Sequence, residues 1–368
     1  MRVFCAIPSS ANYPSLPHSE VWKNNIVRTL EQMGHEVVSF HFDWCAAFSH
    51  LNPEVPSHAE HIRRLRPIFC QELLRQITHA HAQKPLRLFL GYLYTANVTP
   101  ETILAIRHLG IITLNWYCNA SYQFHLVQEI APAFDYCLVP EKFRIPEYIN
   151  AGARPIYCQE AANPEIYRPH DVPKEYDVTF VGQQYGNRAY FVRQLYDAGI
   201  NVRVWGPNWC PQPLVGWRRI FRRAAAYVHR DSLLNLPPAI CGPSLSDEEM
   251  ILMYSRSRIS LGFSTVAAAA PGEKKIVKQV RLRDFEAVMS GAFYLTEACP
   301  ELADFFIPGK EIVFFEDAAD LIEKCRHYLA HPEEREQIRQ AGLRRARAEH
   351  TWRHRFEAVF RQIGLYSS

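Results

Sequence analysis

The stretch "FVGQQYGNR", residues 180–188, combines the backbone freedom and the charge that a phosphorylated ligand requires. Gly182, Gln183 and Gly186 lie in a predicted turn between a strand and a helix, and Arg188 falls in the first turn of that helix. Glycines allow a tight turn, and the unpaired N–H groups of a helix N-terminus attract anions. A cation there is unfavourable unless an anion binds. The pattern predicts a phosphate-binding loop, and the alternative is an ordinary loop with a solvated arginine.

A second stretch, "RLRDFEAVMSGAFYLTE" (281–297), carries a carboxylate in an unexpected place. Glu286 lies in the last turn of a predicted helix, where the macrodipole disfavours negative charge. A carboxylate accepts hydrogen bonds from two vicinal hydroxyls, as acidic residues do for ribose in α/β proteins. The alternative is an exposed pair with Arg283, three residues earlier on a neighbouring face. Lys278, Arg283 and the amides that follow Gly291 are predicted to add donors for a diphosphate.

The elements around these stretches alternate between β-rich runs and helical patterns, which predicts parallel βαβ units. Residues 159–176 interrupt the alternation with three prolines and are predicted to form a linker. The alternation restarts after them. The sequence therefore predicts an α/β protein with two doubly wound domains and a ligand cleft outside the carboxyl ends of the strands. The expected segments are a first domain 1–162, a linker 163–176, a second domain 177–350 and a terminal helix 351–368.

Composition excludes several classes of protein. The chain has 368 residues, a length that fits two domains, and its net charge of +3 indicates no nucleic-acid partner. The ten cysteines form no CxxC pair, which favours reduced thiols and a cytoplasmic protein. No stretch approaches the roughly 20 apolar residues of a membrane span. The histidines are scattered, so no metal site is predicted.

Residues 175–360 resemble the CgeB-like (spore-maturation type) glycosyltransferases of the GT-B superfamily. The motifs that carry the resemblance are the Arg-x-Phe-Glu at 283–286, a helix ending in glycine, a strand, the "PGKE" at 308–311 and the "LAHPEER" at 329–335. The resemblance implies two facing Rossmann-like domains, with a nucleotide-sugar donor bound by the second. It implies that Glu286 binds the donor ribose. Lys278 stands where related enzymes have a glutamate near the donor sugar.

The same resemblance implies that the first domain faces the acceptor and that the terminal helix returns to it. Trp352, Phe356, Val359 and Phe360 form the apolar stripe which that helix needs to bury. Two loops follow predicted strands of the first domain, "IPSSANYPSLPHSEVW" (7–22) and "NWYCNASYQFH" (115–125). His18 and Glu20 are the predicted catalytic residues, with His18 as a general base if the enzyme inverts; the alternative is a loop that ends in a helix cap. The predicted acceptor-side contacts are Ser9, Ser10, Asn12, Asn119 and His125.

The function implied is transfer of a sugar from a nucleotide-diphosphate sugar to the hydroxyl of an unidentified acceptor, without a metal or other cofactor. The wider group favours retention of configuration, and Lys278 weakens that expectation. Two alternatives remain at this point: a non-catalytic nucleotide- or sugar-binding module, and a sugar-nucleotide epimerase of the same fold. The basic, aromatic stretch 216–230 predicts either peripheral contact with an anionic membrane or an amphipathic helix with solvated arginines.

Overall fold

A computed structural model of the protein describes residues 1–8, 19–209, 236–266 and 277–366, together with the backbone of 12–13 and 16–17. The chain forms two compact units. Unit 1 contains Met1–Ile166 and Thr351–Ser368, and unit 2 contains Tyr167–Ala267 and Lys278–His350. The first crossing between the units therefore lies within the predicted linker.

Unit 1 is built on six parallel strands, and the apolar runs of the four central strands are buried on both faces, as is usual for parallel sheets. Their order across the sheet is β2-β1-β3-β4-β5-β6. The strands are β1 (Arg2–Ala6), β2 (Glu36–Ser39), β3 (Leu88–Gly91), β4 (Ile112–Trp116), β5 (Tyr136–Val139) and β6 (Pro155–Tyr157). A two-stranded antiparallel pair, Asn12–Tyr13 with Leu16–Pro17, follows β1.

Helices cover this sheet between successive strands. Besides a π-helical turn at Lys23–Val27 and 3₁₀ turns at Phe124–Leu126, Ala131–Ala133 and Lys142–Arg144, they are α1 (Arg28–Gln32), α2 (Trp44–Phe48), α3 (Pro56–Gln83), α4 (Pro100–His108), α5 (Ala120–Gln123) and α6 (Ile145–Asn150). The four- and five-residue helices α5 and α2 were not predicted, because segments this short carry little helical periodicity.

Unit 2 repeats the architecture with six parallel strands in the order β9-β8-β7-β10-β11-β12. They are β7 (Tyr176–Val181), β8 (Val202–Trp205), β9 (Cys241–Gly242), β10 (Ser257–Gly262), β11 (Tyr294–Glu297) and β12 (Val313–Phe315). The order reverses between β7 and β10, which is the point where ligands bind in doubly wound sheets. The two-residue edge strand β9 was missed because it is too short to show alternation.

The helices of unit 2 are α7 (Arg188–Asp197), α8 (Asp247–Arg256), α9 (Leu282–Met289), α10 (Ala318–Ala330) and α11 (Pro332–Glu349), with 3₁₀ turns at Pro238–Ile240 and Pro300–Asp304. Serine and aspartate cap two of them. The Ser246 hydroxyl accepts from the amide of Glu249 at the start of α8, and Asp317 accepts from that of Asp320 at the start of α10. Both caps are local signals, because the capping side chain bonds an amide three residues further along the chain.

The last helix, α12 (Trp352–Gln362), belongs to unit 1, as the sequence predicted. Trp352, Phe356, Val359 and Phe360 are all buried in the core of that unit. The indole of Trp352 meets that of Trp116 at the end of β4 with their ring centroids 5.1 Å apart. The fold is therefore the predicted α/β architecture of two doubly wound domains with a returning terminal helix.

Candidate active site

The loop after β7 is held in one conformation by unit 2 itself. Gly182 donates its N–H to the carbonyl of Trp205 at 2.8 Å and accepts from the Trp209 indole at 2.6 Å. Its φ is +155°, and a Cβ there would lie 2.4 Å from Nη2 of Arg283. Only glycine fits this point, because a side chain would displace the guanidinium that lies against the backbone.

Arg188 is buried at the start of α7 with only 3% of its surface exposed. Its guanidinium donates to the carbonyl of Gln183 and to the Tyr185 hydroxyl, both at 2.7 Å, and lies 3.8 Å from the centre of the Tyr185 ring. Asn187, the residue before the helix, makes no side-chain cap. The N-terminal amides of this ten-residue helix thus lie next to a buried cation, and the amide of Arg188 donates to the carbonyl of Tyr185 at 3.4 Å.

Two further arginines converge on the same loop. Arg281 donates to the Tyr185 hydroxyl at 2.8 Å, and the guanidinium of Arg283 lies 5.0 Å from the Phe180 ring centre. Burial, together with the like charges of Arg283 and Arg281, lowers the pKa of Arg188 to about 9, so its charge is retained at neutral pH. The Nε atom of each of the three arginines is buried without a hydrogen-bond partner in the described part of the chain. Three positive charges held this closely favour a bound anion.

Two carboxylates lie in α9 beside this cluster, which we call the arginine cluster (Arg188, Arg281 and Arg283). Glu286 is only 5% exposed, so it is not half of an exposed surface pair. Burial acts to lower the pKa of Arg283, but the groups around it, among them Glu286, favour its charge, and its pKa is raised overall. Glu286 therefore lies within electrostatic reach of Arg283, inside unit 2.

Lys278 lies at the far side of the switch point. Its Nζ donates to the carbonyl of Ala298 at 2.8 Å and is 3.8 Å from Oε1 of Glu297. That carboxylate also accepts from the amides of Ser264 and Thr265, just beyond β10, at 3.1 and 2.8 Å. Lys278 is thus tied to the loops after β10 and β11.

The structure corrects the prediction for Gly291. This glycine precedes β11 and lies against Pro169 and Arg339, at the amino end of the strands, whereas Gly182 follows the carboxyl end of β7. Its amide donates to Val288 and the amide of Ala292 donates to Ala287, both at 3.0 Å, which closes α9. A four-residue strand is about 13 Å long. A diphosphate at the arginine cluster therefore does not reach these amides, which already have partners.

The predicted acceptor-side residues are only partly described. Ser9, Ser10 and His18 lie outside the described residues, as do the side chain of Asn12 and the stretch 216–230. Glu20 forms an ion pair with Lys23 at 2.7 Å. Asn119 accepts from the Tyr122 hydroxyl at 3.3 Å, and His125 is exposed on a 3₁₀ turn. Their roles in catalysis or acceptor binding stay predictions.

Sequence reasoning missed Tyr185, Arg281 and Asp284 as parts of the site. Tyr185 joins Arg188 to Arg281 although the tyrosine and Arg281 are 96 residues apart. Asp284 is bonded to Tyr294 of β11. The missed signal was a second arginine two residues before Arg283. In unit 1, Glu141 and Glu160 are buried carboxylates that follow β5 and β6.

Comparison with known proteins identifies the fold and the chemistry. Residues 188–361 match a family model described as "Glycosyl transferase-like". Sucrose-phosphate synthase from Thermosynechococcus elongatus superposes with a TM-score of 0.61 at 13% identity over 100% of both chains. The protein is a glycosyltransferase with the GT-B fold. Anabaena HepE, solved in complex with UDP, gives a TM-score of 0.55 at 11% identity over 99% of this enzyme and 100% of HepE.

A third similar structure is OtsA without ligand, with a TM-score of 0.60 at 10% identity over 100% of the enzyme and 99% of OtsA. No curated protein sequence matches the chain. The family match begins at Arg188 and includes Arg281, Arg283 and Glu286. In the described ranges of this glycosyltransferase, no helix is long and apolar enough to cross a membrane.

Proposed function

We propose that this glycosyltransferase uses a nucleotide-diphosphate sugar and that its arginine cluster binds the diphosphate. The observation that carries the proposal is the convergence of Arg188, Arg281 and Arg283 on the loop after β7, at the switch point of the sheet. A diphosphate supplies the anionic oxygens that the donors of the cluster require. HepE, which shares the fold, was solved with UDP and with UDP-glucose, and this similarity supports the proposal.

Glu286 is proposed to accept hydrogen bonds from the two ribose hydroxyls of the donor. The support is its position on α9, one turn after Arg283, and its burial next to a cationic site. An ionised carboxylate accepts hydrogen bonds from two hydroxyls at once. The Arg-x-Phe-Glu resemblance to CgeB-like enzymes assigns the same role to this residue.

The arginine cluster also provides a reason for the metal-independent reaction that we propose. When the glycosidic bond breaks, negative charge develops on the departing diphosphate, and preorganised cations stabilise it. Three guanidiniums around the proposed diphosphate position supply that charge from the chain itself. Their planar N–H groups match phosphate oxygens in pairs.

The acceptor is proposed to be a hydroxyl of a glycan, a protein, a lipid-linked molecule or a small molecule, and the reaction to proceed in the cytoplasm. On the resemblance, transfer retains the sugar's configuration. Lys278 replaces the glutamate that relatives place near the donor sugar, and its ammonium donates to the carbonyl of Ala298. A peripheral membrane contact through residues 216–230 is part of the proposal for a lipid-linked acceptor.

The experiment that tests the donor site is calorimetric titration with UDP, GDP, ADP and the matching nucleosides. We expect at least one diphosphate to bind, and its nucleoside to bind at least about 100-fold more weakly, because two charged hydrogen bonds contribute about 3 kcal/mol or more. Glu286→Gln should weaken that diphosphate by about 1.5–3 kcal/mol. Glu323→Gln, an exposed change on α10, is the matched control. Equal affinity for a diphosphate and its nucleoside would refute the proposed role of the arginines.

A further inference from the structure

Asp284 is a buried acid between the arginine cluster and the sheet. It is 1% exposed and lies in the first turn of α9. Oδ2 accepts from the amide of Arg281 at 2.8 Å, and Oδ1 accepts from the hydroxyl of Tyr294 at 2.7 Å. The carboxylate thus fixes the backbone from which Arg281 extends to Tyr185.

Burial and the neighbouring donors shift the pKa of Asp284 in opposite directions. Its pKa is raised overall to about 6, because the effect of burial exceeds the opposite effects of the two hydrogen bonds and of the charges of Arg281 and Arg283. The other titratable groups that face it are Tyr254 on α8, Tyr294 on β11 and Cys299 beyond β11. A small change in the local charge therefore decides whether Asp284 is ionised near neutral pH.

A bound diphosphate makes that change. Its negative charges would lie at Arg281 and Arg283, the same arginines that favour the ionised form of Asp284. Once an anion compensates these arginines, the carboxylate loses part of its stabilisation and is repelled by the ligand. By linkage, if binding of the anion raises the pKa of Asp284, protonation of Asp284 increases the affinity for the anion by the same factor.

We propose that Asp284 is a positioning residue of the donor site that takes up one proton from solvent when a diphosphate binds to the arginine cluster. The proton adds to Oδ1, which then donates to the Tyr294 oxygen as that hydroxyl turns its own hydrogen away. Oδ2 keeps the bond from the Arg281 amide, so the helix cap and the arginine stay in place. This inference rests on the proposed function of the arginine cluster.

The test compares the full-length protein with Asp284→Asn, whose amide mimics the protonated acid at both hydrogen bonds. Inorganic pyrophosphate is the probe, titrated calorimetrically from pH 5 to 8 in two buffers of different ionisation enthalpy. At pH 7.5 we expect the variant to bind about fivefold more tightly, at the low end of couplings between sites. The ratio should approach one below pH 6, where Asp284 is already protonated. The wild type should take up more protons than the variant; protonation of pyrophosphate itself is common to both.

Two other variants keep the test decisive. Tyr294→Phe removes a hydrogen bond that favours the ionised form, so the pH at which the affinity changes should rise. Asp317→Asn alters a capping aspartate of α10 and should change neither the affinity nor the proton count. A pH-independent ratio with equal proton uptake would reduce Asp284 to a helix cap and overturn the inference alone. Absence of pyrophosphate binding by the wild type would overturn the proposed function as well.

Discussion

Replacement of Arg188 by methionine should separate the stability of the enzyme from its ability to bind a ligand. The guanidinium is buried beside two like charges, and this burial and repulsion lower its pKa to about 9. A decrease of that size corresponds to about 5 kcal/mol. Methionine matches the arginine side chain in length as far as Nε and carries no charge.

The contributions of this substitution to the free energy of unfolding nearly cancel. The variant loses two hydrogen bonds to a charged group, at about 1.5 kcal/mol each, and a contact with the Tyr185 ring of about 1 kcal/mol. Relief of about 5 kcal/mol offsets this loss of about 4 kcal/mol. We therefore expect the free energy of unfolding of Arg188→Met to stay within about 2 kcal/mol of the wild type, instead of falling as it does for most substitutions at buried positions.

Binding should respond quite differently. Loss of one charged donor to a diphosphate costs up to about 3 kcal/mol, which is about a 100-fold decrease in affinity. Chemical denaturation and calorimetry with pyrophosphate measure the two quantities. Arg193→Met, on the same helix but paired with Asp197 at the surface, is the control and should change neither by much. If Arg188→Met unfolds more than 3 kcal/mol more easily while its pyrophosphate affinity is unchanged, Arg188 is a structural residue and the reasoning fails.

Three further outcomes follow from the structure. Gly182→Ala should reduce diphosphate affinity at least about tenfold, because its Cβ would lie 2.4 Å from Nη2 of Arg283. Gly186→Asn has open space around the substituted residue and should be tolerated. Equal titration curves for the two variants would contradict this steric argument. Trp352→Ala should lower the unfolding free energy of unit 1 by about 3–5 kcal/mol in urea melts, since the indole is fully buried. A loss below about 1 kcal/mol would show that α12 contributes little to the stability of unit 1. Addition of EDTA should leave diphosphate affinity and donor turnover unchanged, and a requirement for magnesium or manganese would end the metal-free proposal.

Much of the site was readable along the chain because its signals are local. The glycines at 182 and 186, the arginine after them and the Arg-x-Phe-Glu each lie within one strand–turn–helix or one helix. Gly291 shows where local reading failed. It was assigned to the ligand because it follows a helix and precedes a strand, yet that connection lies at the amino end of β11 and its amide closes α9. Parallel strands carry ligands at their carboxyl ends, and the direction of each connection had to be considered as well as its residue types.

The sequence by itself determined the alternation of strands and helices, the two doubly wound domains and the amphipathic terminal helix, because hydrophobic period, turn residues and helix caps act over a few residues. Only the tertiary structure decided which charges meet. Tyr185 and Arg281 are hydrogen-bonded although they are 96 residues apart in the sequence, and Asp284 is hydrogen-bonded to Tyr294 of β11. The balance of burial and charge that prepares the arginine cluster for an anion depends on those distances. Coulomb energies change with separation and with access to water, and a one-dimensional pattern specifies neither.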